Sequence, residues 1–343
     1  MANEASVKKK GIAVGTGEGG FLRSILKSDK LGLMIALISM IIIFHFLTGG
    51  KFFTSKNVIN ILIASAIVGL VTIGESFLLI SGQVDLSPGS VAAFSGVLVA
   101  LLLSNGFNLW IAIVLVIMAG MLIGVFNSFL VTKLKFEPFI GTLATMSIFR
   151  GFAFILCGGK AIFVTNAAFL KMGVGRFFGI PIPVLIFFVM FIIFALVSAK
   201  TRFGRSVYMV GGNANAARLA GINAFWLRTR LYMLTSAFAA LGGIILAARM
   251  SSGQPSASVG LEFDAVTAAV LGGIAMSGGI GSLTGSLIGL FILQGFNNGL
   301  MMLNVQSFWQ TVARGVLLIA ALSFDFYRNR QREKTEKESA AKL

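Results

Sequence analysis

Apolar runs of about 20 residues, the length a helix needs to cross about 30 Å of hydrocarbon, recur along the chain between short polar or glycine-rich stretches. Ten occur, at approximately 31–48, 58–80, 90–104, 109–131, 138–157, 181–199, 229–249, 264–276, 283–303 and 307–324. The run 90–104 and the run 264–276 are too short to span alone at 1.5 Å per residue. They are the third and eighth of the ten, and an offset of five reverses direction in a membrane, which predicts inverted half-repeats. Each follows an acidic or helix-breaking stretch: Gln83-Val84-Asp85-Leu86-Ser87-Pro88-Gly89-Ser90 before the first, Gln254-Pro255-Ser256 through Glu262-Phe263-Asp264 before the second. Interrupted segments at matching positions of two halves mark a transport pathway.

Composition agrees with lipid as the main solvent. Hydrophobic residues make up 57% of the 343 and charged residues only 12%, with a mean hydropathy of +0.93. A soluble chain carries about twice that share of charge. The aromatic residues are 32 Phe against 3 Tyr and 3 Trp, which suits lipid-facing helices better than an aromatic-girdled barrel. The expected fold is therefore an all-α polytopic membrane protein of about ten transmembrane segments.

The net charge of +16 changes the picture only through its placement. The basic residues lie between and beyond the apolar runs, which argues against a nucleic-acid partner and for an orientation. With the N-terminus inside, 20 of the 28 basic residues fall in cytoplasmic segments and five in outer ones, so both termini are expected to be cytoplasmic. Residues 1–30 read as a retained tail without a cleavage signal, 31–324 as the membrane domain and 325–343 as a second tail. One Cys and one His exclude a disulfide framework, a thiolate or imidazole metal cluster and a Ser-His-Asp triad, so neither a metal site nor a catalytic site is expected.

Charges in hydrocarbon cost about 2.5–3.5 kcal/mol or more and are functional candidates by default. Glu75, Asp85, Arg150, Asp264, Gln294, Asn297 and Asn298 are the pathway candidates, with Arg314, Asn127 and Gln310 as further polar company. The structural alternative is an ion pair of Glu75 with Arg150 or Arg314. A sparse set without a chain of Asp, Glu and His fits a gated pore better than a proton pump, although a secondary transporter with ions at Asp85 and Asp264 stays open as the alternative. The glycine-rich string 277–286 reads as tight helix packing.

The longest internal cytoplasmic segment, 200–230, contains a short helix candidate. Asn213 is a competent N-cap, Ala214–Leu219 favour helix, and Gly221 suits the left-handed stop. Such a helix is expected to dock on a protein. The string Gly211-Gly212-Asn213 through Ala216-Ala217-Arg218-Leu219, then Gly221-Ile222-Asn223, resembles the coupling loop of ribose-type permeases of ATP-binding-cassette (ABC) sugar importers. Residues 81–90, Pro138-Phe139-Ile140, Thr142–Met146, Arg150-Gly151, Gln254-Pro255, Asp264–Gly273 and Asn297-Asn298-Gly299-Leu300 resemble further segments of that family, in order across 58–324.

The resemblance implies a transport subunit and not an enzyme, sitting in the inner membrane of a prokaryote as a homodimer among membrane lipid. It implies a separate ATPase subunit that holds ATP and Mg, with no cofactor in this chain, and an extracytoplasmic sugar-binding protein. Asn213, Ala216, Ala217, Arg218 and Gly221 would couple to the ATPase, with Ala216, Ala217 and Ala220 in its groove. Ala214 stands where related loops often carry an acidic residue.

Overall fold

The computed structural model describes residues 29–340. Residues 1–28 of the N-terminal tail expected over 1–30, and the last three residues of the C-terminal tail, lie outside them. Thirteen α-helices occur among the described residues. In chain order they are α1 (Asp29–Leu47), α2 (Ser55–Ile80), α3 (Pro88–Ser104), α4 (Leu109–Ser128) with a π-helical turn Phe129–Lys133, α5 (Pro138–Cys157), α6 (Ala167–Val174), α7 (Ile182–Lys200), α8 (Arg202–Gly212), α9 (Ala214–Leu219), α10 (Ala224–Met250), α11 (Leu261–Leu271), α12 (Leu283–Met302) and α13 (Ser307–Ala340). Four two-residue strands join them: β1 (Ile162–Phe163), β2 (Arg176–Phe177), β3 (Ile180–Pro181) and β4 (Ser252–Gly253), paired antiparallel as β1 with β4 and β2 with β3.

Every apolar run holds one helix, and three further helices, α6, α8 and α9, lie outside the runs. Six helices are long and apolar enough to cross a membrane: α2, α4 with its π-helical turn, α5, α7, α10 and the part Ser307–Tyr327 of α13. The others fall short for visible reasons. The apolar parts of α1 and α3 are only Leu31–Leu47 and Pro88–Ser104, α11 has 11 residues, and α12 is diluted by Gly, Ser, Gln294, Asn297 and Asn298.

Two helices form the centre. Within their apolar spans 78% of α2 and 72% of α10 are buried, against 22% of α5 and of α7 and 6% of α13. α10 packs on α2, α3 and α4, and α2 packs on α10, α11 and α12. α3 carries α5 on its flank and α11 carries α13. Without a hydrophobic drive between helices in lipid, such packing depends on close backbone approach. A β-carbon at Gly74 of α2 would lie 2.6 Å from the Cα of Thr235 in α10, and one at Gly124 of α4 would lie 2.7 Å from the Cα of Met233. The small-residue density therefore serves contact between central helices.

The connections gather at two ends of the bundle. At one end α8 and α9 lie beside the glycine-rich loop 272–282, where Tyr208 donates its hydroxyl to Gly281 O at 3.0 Å. At the opposite end β1 pairs with β4, and α6 packs on α10.

Candidate functional site

The chain breaks twice inside the bundle, and each break opens a short helix. The first break, 81–87, follows the end of α2, and its backbone groups need partners because hydrocarbon offers none. Glu75 of α2 accepts the backbone N–H of Asp85 through Oε1 at 3.1 Å. Asp85 Oδ1 accepts the N–H of Ser87 at 2.8 Å. Asn127 of α4 donates Nδ2 to Asp85 Oδ1 and Oδ2 at 3.2 and 3.0 Å and to Ser87 Oγ at 2.8 Å. Thr142 of α5 accepts from Leu86 N at 3.0 Å, and the Tyr232 hydroxyl of α10 donates to Val84 O at 3.3 Å. Glu75, Asp85, Ser87 and Asn127 are all fully buried. Four helices thus converge on one unwound segment, and Pro88 then starts α3 at a position where its missing N–H costs nothing.

The second break enters from the other end. Gly253 fits against Gly96, Val97 and Ala100 of α3, while Ser258 and Glu262 meet Gly89. From Gly96 to Gly89 is about 10 Å of helix at 1.5 Å per residue, so residues 253–260 descend beside α3 into the bundle before α11 begins. Arg150 of α5 supports the descent, donating Nη1 to Pro255 O at 2.9 Å and to Ala257 O at 2.6 Å. It also lies within electrostatic reach of Glu262. Glu262 is buried, and its Oε2 and the hydroxyl of Ser258 have no hydrogen-bond partner among the described residues. The two broken helices therefore meet start to start at Gly89 and Glu262, where a side chain larger than hydrogen at position 89 would collide.

The expected residues separate into groups. Glu75 and Asp85 belong to the first break and Arg150 to the second. Asp264, expected to mirror Asp85, instead faces α13, where Arg314 Nη1 approaches its Oδ2 at 3.8 Å with side-chain exposures of 37% for Arg314 and 18% for Asp264. Two residues along a helix rotate about 200°, so Glu262, not Asp264, points to α3. The alternative ion pair of Glu75 with Arg150 or Arg314 does not form, because Arg150 is held by Pro255 and Ala257 and Arg314 lies by Asp264. Gln294, Asn297 and Asn298 sit on α12, which packs on α11 and α2. Asn298 accepts from Asn57 Nδ2 at 2.8 Å, while Gln294 Nε2 and Asn297 Oδ1 have no partner among the described residues. Glu262, Ser258, Ser87 and Tyr232 were not singled out by the sequence. Glu262 was legible only as one of two carboxylates at the end of the second helix-breaking stretch.

Asp85→Asn is expected to lower both uptake and the amount of folded protein, because an amide that keeps its oxygen toward Ser87 N turns its NH2 toward Asn127 Nδ2, donor against donor. Asp264→Asn is expected to cost less folded protein than Asp85→Asn, since Asp264 meets Arg314 only at 3.8 Å whereas Asp85 accepts hydrogen bonds from Ser87 and Asn127 at 2.8–3.2 Å. Quantitative blots of the membrane fraction beside uptake measure both; an Asp85→Asn protein at full abundance would contradict the scaffold role.

The third group forms the α8–α9 corner. Asn213 caps α9, accepting from Asn215 N and Ala216 N at 3.0 and 2.9 Å, and Gly221 takes the left-handed stop at φ +81°. Ala216, Arg218 and Ala220 are exposed. Ala217, expected to be free for a partner, is only 1% exposed and belongs to the chain's own core, whereas Leu219 is 89% exposed. The preceding glycine, Gly211, lies backbone to backbone against Ile80 O and Gly279 N, and Gly279 N donates to Ile80 O at 2.8 Å. The corner is thus seated on the residue at which α2 gives way to the first break.

The profile of a family described as the permease component of branched-chain amino acid transport systems matches residues 57–322. The chain is 40% identical to the ribose import permease protein of Bacillus subtilis over 299 residues, covering 87% of this chain and 92% of that one. It is 38% identical to the L-arabinose transport system permease protein of Escherichia coli, covering 88% and 92%, and 34% identical to the L-arabinose ABC transporter permease protein of Azospirillum brasilense, covering 94% of each. No solved structure matches the chain. Because the profile spans most of its length and these permeases align almost end to end, the chain belongs to the branched-chain amino acid and ribose permease family of ABC sugar transporters.

Proposed function

We propose that this chain is the permease of an ATP-driven importer that passes a monosaccharide of the ribose and arabinose class across a prokaryotic inner membrane. ATP hydrolysis on a partner subunit drives it, an extracytoplasmic binding protein delivers the sugar, and two copies of the chain form the pore. Both termini and the α8–α9 corner are then cytoplasmic, and α6 and the two strand pairs face outward. The ten apolar helices form two inverted halves of five. In support, the second and seventh helices are the buried centre, and each packs on the third and fourth helices of the opposite half.

The observation that carries the reading is the contact of Gly211 with Ile80 and Gly279. A cytoplasmic ATPase gripping α9 would displace α8, and α8 abuts the backbone from which the first break begins. The breaks are held by hydrogen bonds to unwound backbone, so they can shift without unfolding a whole helix. A movement at the corner is therefore delivered to the junction of α3 and α11. The secondary-transport alternative finds less support, because Asp85 is saturated by Ser87 and Asn127 while Asp264 faces Arg314 in another part of the bundle.

The test is reconstitution of the permease in vesicles with its ATPase, ATP inside and a sugar-loaded binding protein outside. Accumulation of labelled ribose or arabinose that needs all three components is expected. Uptake by the permease alone, driven by an ion gradient, would overturn the reading.

A further inference from the structure

The hairpin β2–β3 lies at the end of the bundle opposite α8 and α9. Arg176 pairs with Pro181 and Phe177 with Ile180, leaving Phe178 and Gly179 as a two-residue turn. Their φ angles are +47° and +82°, which is the type I′ geometry that favours Asn-Gly and penalises an aromatic residue at its first position. A Phe held there against its backbone preference points to a use for the ring. Phe178 is 91% exposed, and the one aromatic ring it meets among the described residues is that of Phe177, edge-on at 4.6 Å. Val174, Phe177 and Ile180 are exposed beside it.

The surroundings identify what covers this tip. β3 runs directly into α7, whose Val189, Ile192, Ile193 and Leu196 are exposed apolar residues on a membrane-length helix. α7 packs on α2, α6 and α12, whereas α5 packs on α3 and α4, so the hairpin grows from a lipid-facing flank. The tip lies at most about 10 Å from the end of α7, since extended chain rises about 3.3 Å per residue, and the headgroup layer begins where the apolar run of α7 ends. Residues 158–181 carry Lys160, Lys171 and Arg176 and no Asp or Glu. Apolar tips flanked by unopposed cations match the acyl boundary and anionic headgroups of a bilayer.

We propose that the 174–180 hairpin is a membrane anchor: Phe177, Phe178 and Ile180 insert into the adjoining leaflet while Lys171 and Arg176 contact anionic lipid headgroups. Such an anchor fixes the height of α6 and of the β1–β4 pair, from which the second break descends, relative to the bilayer.

The test uses Cys157→Ser, which removes the chain's one Cys, combined with Phe178→Cys carrying an environment-sensitive NBD probe. The full chain is reconstituted in phosphatidylglycerol-rich vesicles without any other protein. Emission should be blue-shifted and quenched at least about threefold more by shallow doxyl lipid than by aqueous iodide, as for an interfacial group. The same probe at exposed Thr165 should show the reverse. A Phe178 probe open to iodide, or one shielded only when a purified sugar-binding protein is added, would overturn the anchor and assign the tip to a protein partner. Equal shielding in pure phosphatidylcholine would overturn the role of Lys171 and Arg176. Phe178→Asn, which suits the turn, should unfold in detergent no earlier than wild type; earlier unfolding would mean that the ring belongs to the fold and would also overturn the proposal.

Discussion

Leu219→Asp is expected to cut permease-stimulated ATP turnover by at least about tenfold and to release the ATPase from tagged permease on co-purification. Leu219 is 89% exposed at the apex of the corner, and full burial of such a side chain in a partner contributes about 1.5–3 kcal/mol, where each 1.4 kcal/mol is a factor of ten. Aspartate removes that gain and adds a charge to desolvate. The substitution touches nothing in the chain's own core, so elution of the detergent-solubilised permease should not change. Ala217→Trp does not make the same test, because a side chain 1% exposed has no room for an indole and the permease itself would be destabilised. Unchanged complex formation with Leu219→Asp would remove α9 as the coupling element.

Arg150→Ala is expected to have the second largest effect, lowering stability by about 3 kcal/mol and abolishing uptake. Its guanidinium satisfies two carbonyls of the second break at 2.9 and 2.6 Å, and hydrogen bonds to a charged group contribute about 1.5–3 kcal/mol each, more when the abandoned partner stays buried. Loss of the cation also leaves Glu262 without its nearest positive charge. Arg150→Lys should recover part of the stability and little of the uptake, since an ammonium cannot hold two carbonyls in the fixed geometry of a guanidinium. Arg314→Ala is the control: its acidic partner lies at 3.8 Å, beyond hydrogen-bond length, and its cost should be smaller than that of Arg150→Ala. Thermal unfolding in detergent ranks the three. Equal losses for Arg150→Ala and Arg314→Ala would refute the support of the second break by Arg150.

The homologous permeases place these residues in a transport protein, and the geometry explains why its small residues cluster where they do. The string 277–286 was legible as close packing, but its partner was not. Gly278 and Gly279 meet Gly82, Gly211 and Gly212, nearly 200 residues earlier or some 70 residues earlier in the chain. Close approach of backbones shows in sequence only as a lack of side chain, which names no neighbour.

By itself the sequence determined the helical class, the ten apolar elements, the two helix breaks and the caps of α9. These follow from local quantities: hydrophobic run length, Pro and Gly placement, and an Asn before a short Ala-rich stretch. It did not determine which carboxylate of the second break faces inward, because Glu262 and Asp264 differ by two helix positions and only the location of α3 and α13 distinguishes them. Ala217 and Leu219 are likewise two positions apart on a six-residue helix, too short to show an apolar face. The fate of Arg150 was decided by tertiary structure for a related reason. Unwound backbone in a low-dielectric interior must find donors wherever a neighbouring helix supplies them, and the carbonyls of Pro255 and Ala257 found theirs on α5, more than 100 residues away.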